Sequence, residues 1–267
     1  MRSPFDTMAE TYDADFTNTA IGKLQRKQVW EFLKPVLNSY RKPIRILEIN
    51  CGTGEDALEL SRSGHFVTAT DGSRKMIEKA QEKIAVLKGS NTRFIVCRFD
   101  ELSQHFRDEK FDLVISNFGG LNCINSTEME KLSQQLCSLL HDHGKLFFVI
   151  MGRSCVWETF YFLLKGKVAT AFRRRKRSVL FQAGETAIPV FYYSPGNLKK
   201  IFHSCYTYCH SNPIGLFVPP SYLEKIFARR QHWLVNLGRL ESKFSKYTML
   251  SNLADHFCII FQKKETL

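Results

Sequence analysis

The stretch that decides the fold is "ILEINCGTGEDALEL", residues 46–60. Its apolar first part continues a run that starts at Ile44 and stops at Asn50, which predicts a short buried strand. Gly52 and Gly54 then permit a tight turn, and the sequence that follows predicts a helix. In a strand–turn–helix unit of this kind, backbone N–H groups face a ligand and no Cβ blocks its approach. We therefore predict a ligand-binding loop between the strand and the helix.

Strands and helices alternate from the N-terminus to Met151. Apolar runs predict strands at residues 44–49, 66–70, 94–97, 111–116 and 145–151. The spacing of apolar residues predicts helices at residues 19–38, 54–63, 73–87 and 126–140. This alternation is typical of a parallel, doubly wound α/β sheet, which binds ligands beyond the carboxyl ends of its strands. We expect the loops that follow these strands to share one crevice.

The pattern changes after Met151. An apolar stripe predicts a helix over residues 155–172, and the basic run "RRRKR" follows at 173–177. Ser194-Pro195 is typical of the start of another helix. A β-hairpin is predicted around Gly184, at residues 179–192. Two late strands are predicted at residues 205–210 and 256–263, with a largely helical stretch at 221–253 between them.

The charge is distributed unevenly along the chain. Residues 1–150 contain 20 Lys and Arg against 20 Asp and Glu, whereas residues 151–267 contain 18 against 6 and so carry the net charge of +12. The basic half either meets an anionic partner or is a solvated surface. No stretch is apolar enough for a membrane-spanning helix, and the segment from Met1 to Asp13 lacks the apolar core of a secretory signal. We predict a cytoplasmic protein.

Metal binding is not predicted. The eight cysteines are scattered and none forms a C-x-x-C pair. Cys205 and Cys209 have His203 and His210 beside them, but no second ligand cluster has the spacing of a zinc site. A reduced cytoplasmic protein is the simpler interpretation.

The glycine loop fits two kinds of cofactor. Gly52-x-Gly54-x-x-Ala57 matches the dinucleotide fingerprint, and Asp71 follows the next predicted strand, where an acid that binds ribose is expected. Glu48 argues against a dinucleotide, since an acid beside a pyrophosphate is unfavourable but can face the positive methionine end of a sulfonium cofactor. The pattern D-x-S-x-x-M at residues 71–76 also favours the sulfonium. So does Asp100, whose carboxylate can accept a hydrogen bond from an adenine amino group.

These segments resemble a known family. "LEINCGTGEDALELSRSGHFVTATDGSRKM" (47–76) resembles the first two cofactor-binding motifs of class I S-adenosylmethionine-dependent methyltransferases, and "FDLVISNFGGLN" (111–122) resembles their fourth-strand motif. The resemblance covers about residues 5–150. It implies a mostly parallel, seven-stranded Rossmann-like methyltransferase fold, with helical and hairpin insertions after strand 5 and between the last two strands. Asn50 departs from the family's usual glycine, but Asn tolerates positive φ well.

The resemblance implies that S-adenosyl-L-methionine is the cofactor and gives each matching residue a role. The methionine side would be shaped by Glu48, Asn50, Cys51, Gly52 and Gly54. The ribose and adenosine would meet Asp71, Gly72, Ser73 and Met76. The adenine edge would meet Asp100 and Glu101, and the transferring methyl would lie beside Asn117 and Phe118.

Several of these side chains also have a purely structural interpretation. Glu48 can be a salt-bridged acid, Asp71 a helix cap and Phe118 a core residue, while Asp100 can be an ordinary loop residue. Methyl transfer from a sulfonium is a direct displacement, so no catalytic dyad is required and none is evident. Tyr12 and His210 are the candidate catalytic residues. Tyr12, together with Phe16, is also a candidate to close over the cofactor.

We predict a single domain over residues 1–267 that methylates a small, apolar or aromatic acceptor. The N-terminal cap helices would lie at residues 1–43 and the cofactor-binding core at 44–151. Two acceptor-side insertions would lie at residues 152–193 and 211–253. An RNA methyltransferase, an NAD(P)-dependent oxidoreductase and a non-catalytic binding protein are the alternatives. Nucleic acid is disfavoured because no RNA-binding module is evident. Residues 155–177 can contact an anionic membrane, with a solvated charge run as the alternative.

Overall fold

The computed structural model describes residues 3–85, 90–183, 186–227 and 230–265. The strands in these ranges are β1 (Arg45–Ile49), β2 (Phe66–Asp71), β3 (Thr92–Val96), β4 (Phe111–Ser116), β5 (Leu140–Met151), β6 (Val179–Ala183), β7 (Thr186–Val190), β8 (Tyr206–Ile214) and β9 (His256–Lys263).

Helices flank these strands on both faces. The α-helices in the described ranges are α1 (Ala20–Asn38), α2 (Glu55–Arg62), α3 (Arg74–Ile84), α4 (Leu102–His105), α5 (Ser126–Leu139), α6 (Val156–Leu164), α7 (Val168–Ala171), α8 (Pro195–Phe202), α9 (Glu224–Phe227) and α10 (Gln231–Phe244). Short 3-10 helices lie at Pro4–Thr7, Gly120–Cys123, Arg173–Arg175, Ser221–Leu223 and Thr248–Asn252, and a π-helix at Asp13–Thr17. None of the helices in the described part of the chain has the length and apolarity needed to span a membrane.

Seven strands form one sheet in the order β3-β2-β1-β4-β5-β9-β8. The pairs from β3 to β5 are parallel, whereas β9 runs antiparallel to both β5 and β8. This arrangement confirms the predicted doubly wound, mostly parallel, seven-stranded sheet. The strand order reverses at β1, because β2 lies on one side of it and β4 on the other. The crevice at such a switch point is where an open α/β sheet binds ligands.

The hydrophobic core lies on both faces of the sheet. Successive side chains of a strand point to opposite faces, and Phe147 and Phe148 of β5 accordingly belong to different core clusters. On one face Phe148 packs with Leu132 of α5, and on the other Phe147 packs with Leu33 of α1. Helices therefore cover both faces of the sheet, so a ligand site is expected at the ends of the strands.

Several predicted elements differ from the structure. The strand predicted at residues 205–210 is β8, which continues to Ile214 and so into the stretch predicted as an insertion. The helix predicted over 155–172 is broken into α6 and α7, because Gly166 adopts a left-handed φ of 69° and ends the first helix. Strand β5 starts at Leu140 rather than at Lys145. The helix predicted over 73–87 corresponds to α3, which ends at Ile84. The last two predicted positions fall outside the described residues.

The predicted hairpin is confirmed as the separate two-stranded sheet of β6 and β7. Gly184, around which it was predicted, falls outside the described residues. Asn122, which is fully buried, connects the exit of this hairpin to β5. Its side-chain oxygen accepts from Met151 N at 2.9 Å, and its amide nitrogen donates to Phe191 O at 2.6 Å. The hairpin exit is therefore fixed beside the carboxyl end of the sheet.

Candidate functional site

The glycine loop between β1 and α2 contains three left-handed residues, Asn50, Gly52 and Gly54, with φ of 53°, 54° and 77°. The Asn50 side chain explains the departure from glycine, because its oxygen accepts from Ser116 Oγ at 2.6 Å and its nitrogen donates to Asn117 O at 2.9 Å. These bonds join the loop to the end of β4 and offset the strain of the backbone.

Asp71 holds this loop from the end of β2. One carboxylate oxygen accepts from Gly52 N at 2.9 Å, and the other accepts from Ser73 N at 2.8 Å. Burial raises the pKa of Asp71, although both hydrogen bonds act in the opposite direction. Ser73 caps α3 through a hydrogen bond from Met76 N, and the Met76 side chain is buried in the core. The structure thus makes Asp71 a structural residue and also places it at the crevice.

A small cavity adjoins the glycine loop. It is lined by Tyr12, Arg26, Glu48, Asn50, Cys51, Thr53, Glu55, Asp56, Asn117 and Phe118. Glu48 is 2% exposed, and its Oε2 has no hydrogen-bond partner within the described residues. Burial, reinforced by the negative charge of Asp56, raises the pKa of Glu48 well above its ordinary value. The cavity therefore contains a carboxylate oxygen that lacks a donor partner.

Arg26 and Asp56 form an ion pair in the same cavity that sequence analysis did not identify. Asp56 also accepts from Trp30 Nε1 and Asn117 Nδ2, each at 2.8 Å. Burial alone would raise the pKa of Asp56, but the charge of Arg26 and these hydrogen bonds hold it below its ordinary value. Arg26 keeps Nε without a partner in the described ranges, so a donor and an acceptor both remain free around the cavity.

The N-terminal strap, residues 4–17, lies across the loop and α3. Three of its acids bind this surface. Asp6 accepts from Ser73 Oγ at 2.6 Å, Glu10 lies 3.0 Å from Lys79 Nζ, and Asp13 lies 2.7 Å from Lys83 Nζ. Tyr12 therefore sits over Gly52, where an added Cβ would lie 3.7 Å from its ring. Burial raises the pKa of Tyr12 to about 12, so this phenol stays protonated near neutral pH.

Phe118 separates the cavity from the later half of the chain. Its backbone has a φ of 46°, and its N–H is bound by the side-chain oxygen of Asn117 at 2.9 Å. The ring is edge-on to Phe16 at 4.9 Å between centroids, and Arg26 lies 5.1 Å from its centre. A non-glycine residue held at positive φ beside a cavity is typical of a functional site.

The sequence of residues 46–144 matches the family model of a methyltransferase domain. This segment of the chain is a methyltransferase domain. The matched segment contains β1 to β4 and the glycine loop, and so includes most of the candidate site.

Relatives of this methyltransferase domain differ widely. The tRNA 5-carboxymethoxyuridine methyltransferase of Escherichia coli is 30% identical over 114 residues, which cover 42% of this chain and only 43% of that protein. The malonyl-[acyl-carrier protein] O-methyltransferase of Bacillus anthracis is 27% identical over 208 residues, 75% of this chain and 67% of that protein. The CcbJ methyltransferase of Streptomyces caelestis shares the fold, with a TM-score of 0.64 and 12% identity over 99% of each chain.

Two predicted adenine-side residues lie at the rim of the methyltransferase domain. Asp100 and Glu101 follow β3, so they share the edge of the sheet with the glycine loop. Both are exposed: Asp100 pairs with the Arg98 side chain at 3.1 Å, and Glu101 accepts from Arg98 N at 2.9 Å. The structure therefore brings them to the crevice without directing them into the cavity.

His210, predicted as a catalytic candidate, does not reach the crevice. It lies within β8 opposite Ile260, four residues before the strand ends at Ile214, and is exposed. Partial burial and the charge of Lys145 lower its pKa. Sequence spacing could not locate it, because the position of a residue along an antiparallel edge strand depends on the register.

The basic run also differs from expectation. Arg174 is 5% exposed and donates to Glu158 Oε2 at 3.0 Å and to Asp255 Oδ1 at 2.6 Å. Arg173 makes two hydrogen bonds to Glu158, at 2.8 and 3.0 Å. Two of the arginines expected on a membrane or in solvent are therefore bound inside the domain.

Proposed function

We propose that the chain is an S-adenosyl-L-methionine-dependent methyltransferase that acts on a small, apolar or aromatic acceptor by direct displacement. One observation carries this proposal. The cavity beside the glycine loop holds a buried carboxylate oxygen of Glu48 and a buried Nε of Arg26, and neither has a partner in the described part of the chain.

These two groups fit the methionine end of the cofactor. Its ammonium would donate to Glu48 Oε2, and its carboxylate would accept from Arg26 Nε, so both unpartnered atoms would gain a hydrogen bond. Asp71 has lone pairs left for ribose hydroxyls beyond its two backbone hydrogen bonds. When bound, the cofactor supplies a methyl group on a positively charged sulfur, which is a good leaving group.

The protein's own contribution is alignment and exclusion of water. Tyr12 of the N-terminal strap lines the cavity, and Phe118 forms its wall toward the acceptor side, with Phe16 packed against the Phe118 ring. A displacement with a good leaving group is accelerated chiefly by such positioning in a dry pocket. The apolar surfaces of Phe16 and Phe118 favour an apolar or aromatic acceptor. We further propose that residues 1–43, 44–151, 152–193 and 211–253 act as one domain in the cytoplasm.

An RNA methyltransferase remains a second candidate. The excess of 18 Lys and Arg over 6 Asp and Glu in residues 151–267 favours it, and so does the similarity to a tRNA-modifying relative. Against it, Arg173 and Arg174 are bound to internal acids and so cannot contribute fully to a phosphate-binding surface.

Calorimetry with S-adenosylhomocysteine and with NADH tests the proposed cofactor. We expect binding of the former and no heat from the latter. Glu48→Gln should weaken the binding, whereas Glu59→Gln, which changes an exposed acid of α2, should not. Binding of NADH, or no binding of S-adenosylhomocysteine, would refute the proposal.

A further inference from the structure

His256 lies at the carboxyl edge of the sheet although it begins a strand. Strand β9 is antiparallel to β5, so its first residue pairs with Met151, the last residue of β5. Its other neighbour in the sheet is Ile214, at the end of β8. Because β9 is antiparallel, His256 lies at the same edge of the sheet as the glycine loop.

The His256 ring contacts the wall of the cofactor cavity. It is edge-on to Phe118, with 5.8 Å between ring centres and an interplanar angle of 87°. Phe118 in turn faces Phe16 and Arg26. The imidazole is thus separated from the cavity by one aromatic ring, on the side of the later half of the chain.

Asp255 fixes the charge environment of this imidazole. Nδ1 of His256 lies 3.2 Å from Asp255 Oδ2, at ion-pair distance but without the alignment of a hydrogen bond. Burial would raise the pKa of Asp255, yet the charges of His256 and Arg174 hold it far below its ordinary value. The carboxylate therefore stays ionised beside the imidazole ring. Because Nδ1 faces the acid, Nε2 is on the far side of the ring.

The same acid is held in place by Arg174. This guanidinium donates to Asp255 Oδ1 at 2.6 Å and to the Asp255 carbonyl at 2.8 Å, and Gln25 donates to Oδ2 at 3.3 Å. Arg174 comes from the acceptor-side insertion, and Gln25 comes from α1. Two separate elements thus orient the carboxylate that faces His256.

Other titratable groups of the crevice fit a proton acceptor less well. Tyr12, like any tyrosine near its ordinary pKa, is protonated near neutral pH, and burial raises that pKa further. Glu48 and Asp56 lie in the cavity assigned to the methionine end, and Asp56 is already bound by Arg26, Trp30 and Asn117. His210 is outside the crevice. Among the described residues near Phe118, His256 has the chemistry of a general base.

We infer that Nε2 of His256, supported by Asp255, removes the proton from an acceptor hydroxyl during methyl transfer, an inference that rests on the proposed function. The acceptor oxygen forms a bond to the methyl carbon, and the carbon–sulfur bond breaks with its electron pair remaining on sulfur. The hydroxyl proton passes to Nε2, and the resulting imidazolium lies beside the Asp255 carboxylate. The inference specifies the acceptor class as a phenol or alcohol rather than a carboxylate, which carries no proton to lose.

The first experiment compares His256→Asn with the wild-type protein on phenol, 4-nitrophenol and benzoate. We expect the variant to lower kcat on phenol by about 100-fold or more, since general bases contribute about 10²–10⁴-fold. The loss should be much smaller on 4-nitrophenol, which is mostly ionised in mildly alkaline buffer and needs no base. His210→Asn is the matched control and should leave all rates unchanged.

Two outcomes would overturn the inference. One is equal loss on both phenols, which would indicate a packing role for His256. The other is a wild-type protein that binds S-adenosylhomocysteine but methylates only benzoate, or none of the three compounds. If that wild-type protein fails to bind S-adenosylhomocysteine, the proposed function itself fails, so the two failures are distinguishable.

A spectroscopic measurement adds a readout that does not depend on turnover. Phenol is added to the ¹⁵N-histidine-labelled protein in its S-adenosylhomocysteine complex. The Nε2 resonance of His256, assigned with His256→Asn, should shift, and that of His210 should not. An unchanged His256 resonance at saturating phenol would contradict contact between the acceptor and this nitrogen.

Discussion

At the scale of single residues, the cavity beside the glycine loop holds a carboxylate that costs stability. Glu48 is buried with one oxygen unpartnered among the described residues, and a buried polar group without a partner is unfavourable by about 1–3 kcal/mol. A protein tolerates such a cost where binding requires the group. Glu48 is therefore expected to affect stability and binding in opposite directions.

We predict that Glu48→Gln stabilises the ligand-free protein at neutral pH. The raised pKa means that the folded state holds this proton more tightly than the unfolded chain does, so stability falls as pH rises above the ordinary value of 4.5. Gln cannot ionise and escapes that loss. Thermal melts across a pH series should show a melting temperature a few degrees higher for the variant near neutral pH, at about 2–4 °C per kcal/mol. A variant that melts in parallel with the wild type at every pH would contradict this.

Asp71→Ala should weaken the binding of S-adenosylhomocysteine by about 1–3 kcal/mol, because it leaves polar partners unpaired. The variant also frees Gly52 N and Ser73 N, so part of the loss is expected to come from the loop itself. Calorimetry measures the total. Asp100→Ala is the comparison, since Asp100 is exposed and contacts only the rim; an equal loss in both variants would argue against a special role for Asp71.

Motifs located some site residues and missed others for a physical reason. Glu48, Asp71 and Asn117 lie at the ends of strands in a recognisable βα pattern, so their position relative to the loop can be predicted. Arg26 and Asp56 belong to two different helices, and their pairing depends on how α1 packs against α2. No local pattern encodes that contact.

At the scale of elements, the run "RRRKR" shows that a cluster of like charges need not face solvent. Arg174 joins the insertion after β5 to the residue before β9, through Glu158 and Asp255. The short 3-10 helix at Arg173–Arg175 turns two guanidinium groups inward, toward an acid that α6 buries. Sequence alone could not orient the run, because Gly166 breaks the helix that would have set its direction.

We predict that Arg174→Ala lowers the free energy of unfolding by about 3–5 kcal/mol, the cost of leaving buried acids without their partner. Urea unfolding followed by circular dichroism measures this. Arg177→Ala, at an exposed position of the same run, is the control and should change stability by less than about 0.5 kcal/mol. Similar stability for both variants would mean that the run is a solvated surface after all.

Membrane contact through residues 155–177 needs a test that spares the internal arginines. Replacing Lys176 and Arg177, both exposed, by Ser removes charge without breaking the Glu158 cluster. Unchanged binding to anionic vesicles would argue against this contact.

At the scale of the whole molecule, the sheet could be predicted because strands and helices alternate regularly as far as Met151. Periodicity does not give strand direction. The resemblance implied a mostly parallel sheet, and the structure shows that β9 is the strand that runs antiparallel to its neighbours. The excess of basic residues in the second half was also evident from the sequence, but the contacts that those residues make were not. Charged residues serve internal pairs, solvent or a partner, and only the three-dimensional contacts separate these roles.

The basic half of the chain is predicted to bind tRNA weakly and without a steep dependence on salt. A protein that neutralises many phosphates loses affinity steeply as salt rises, with a slope near the number of contacts. Filter binding at several salt concentrations measures that slope. Tight binding with a steep slope, together with methyl transfer to tRNA, would favour the RNA methyltransferase over the small-molecule enzyme.

The ion-pair cluster of Glu158, Arg173, Arg174 and Asp255 limits how this protein can be engineered. Exchanging residues 152–193 for the corresponding segment of another methyltransferase would be the obvious way to graft a new acceptor preference. Such a chimera would leave Asp255, which belongs to the recipient part of the chain, without the guanidinium of Arg174. A working graft must therefore transfer the residue before the last strand together with the insertion, as one module of two pieces.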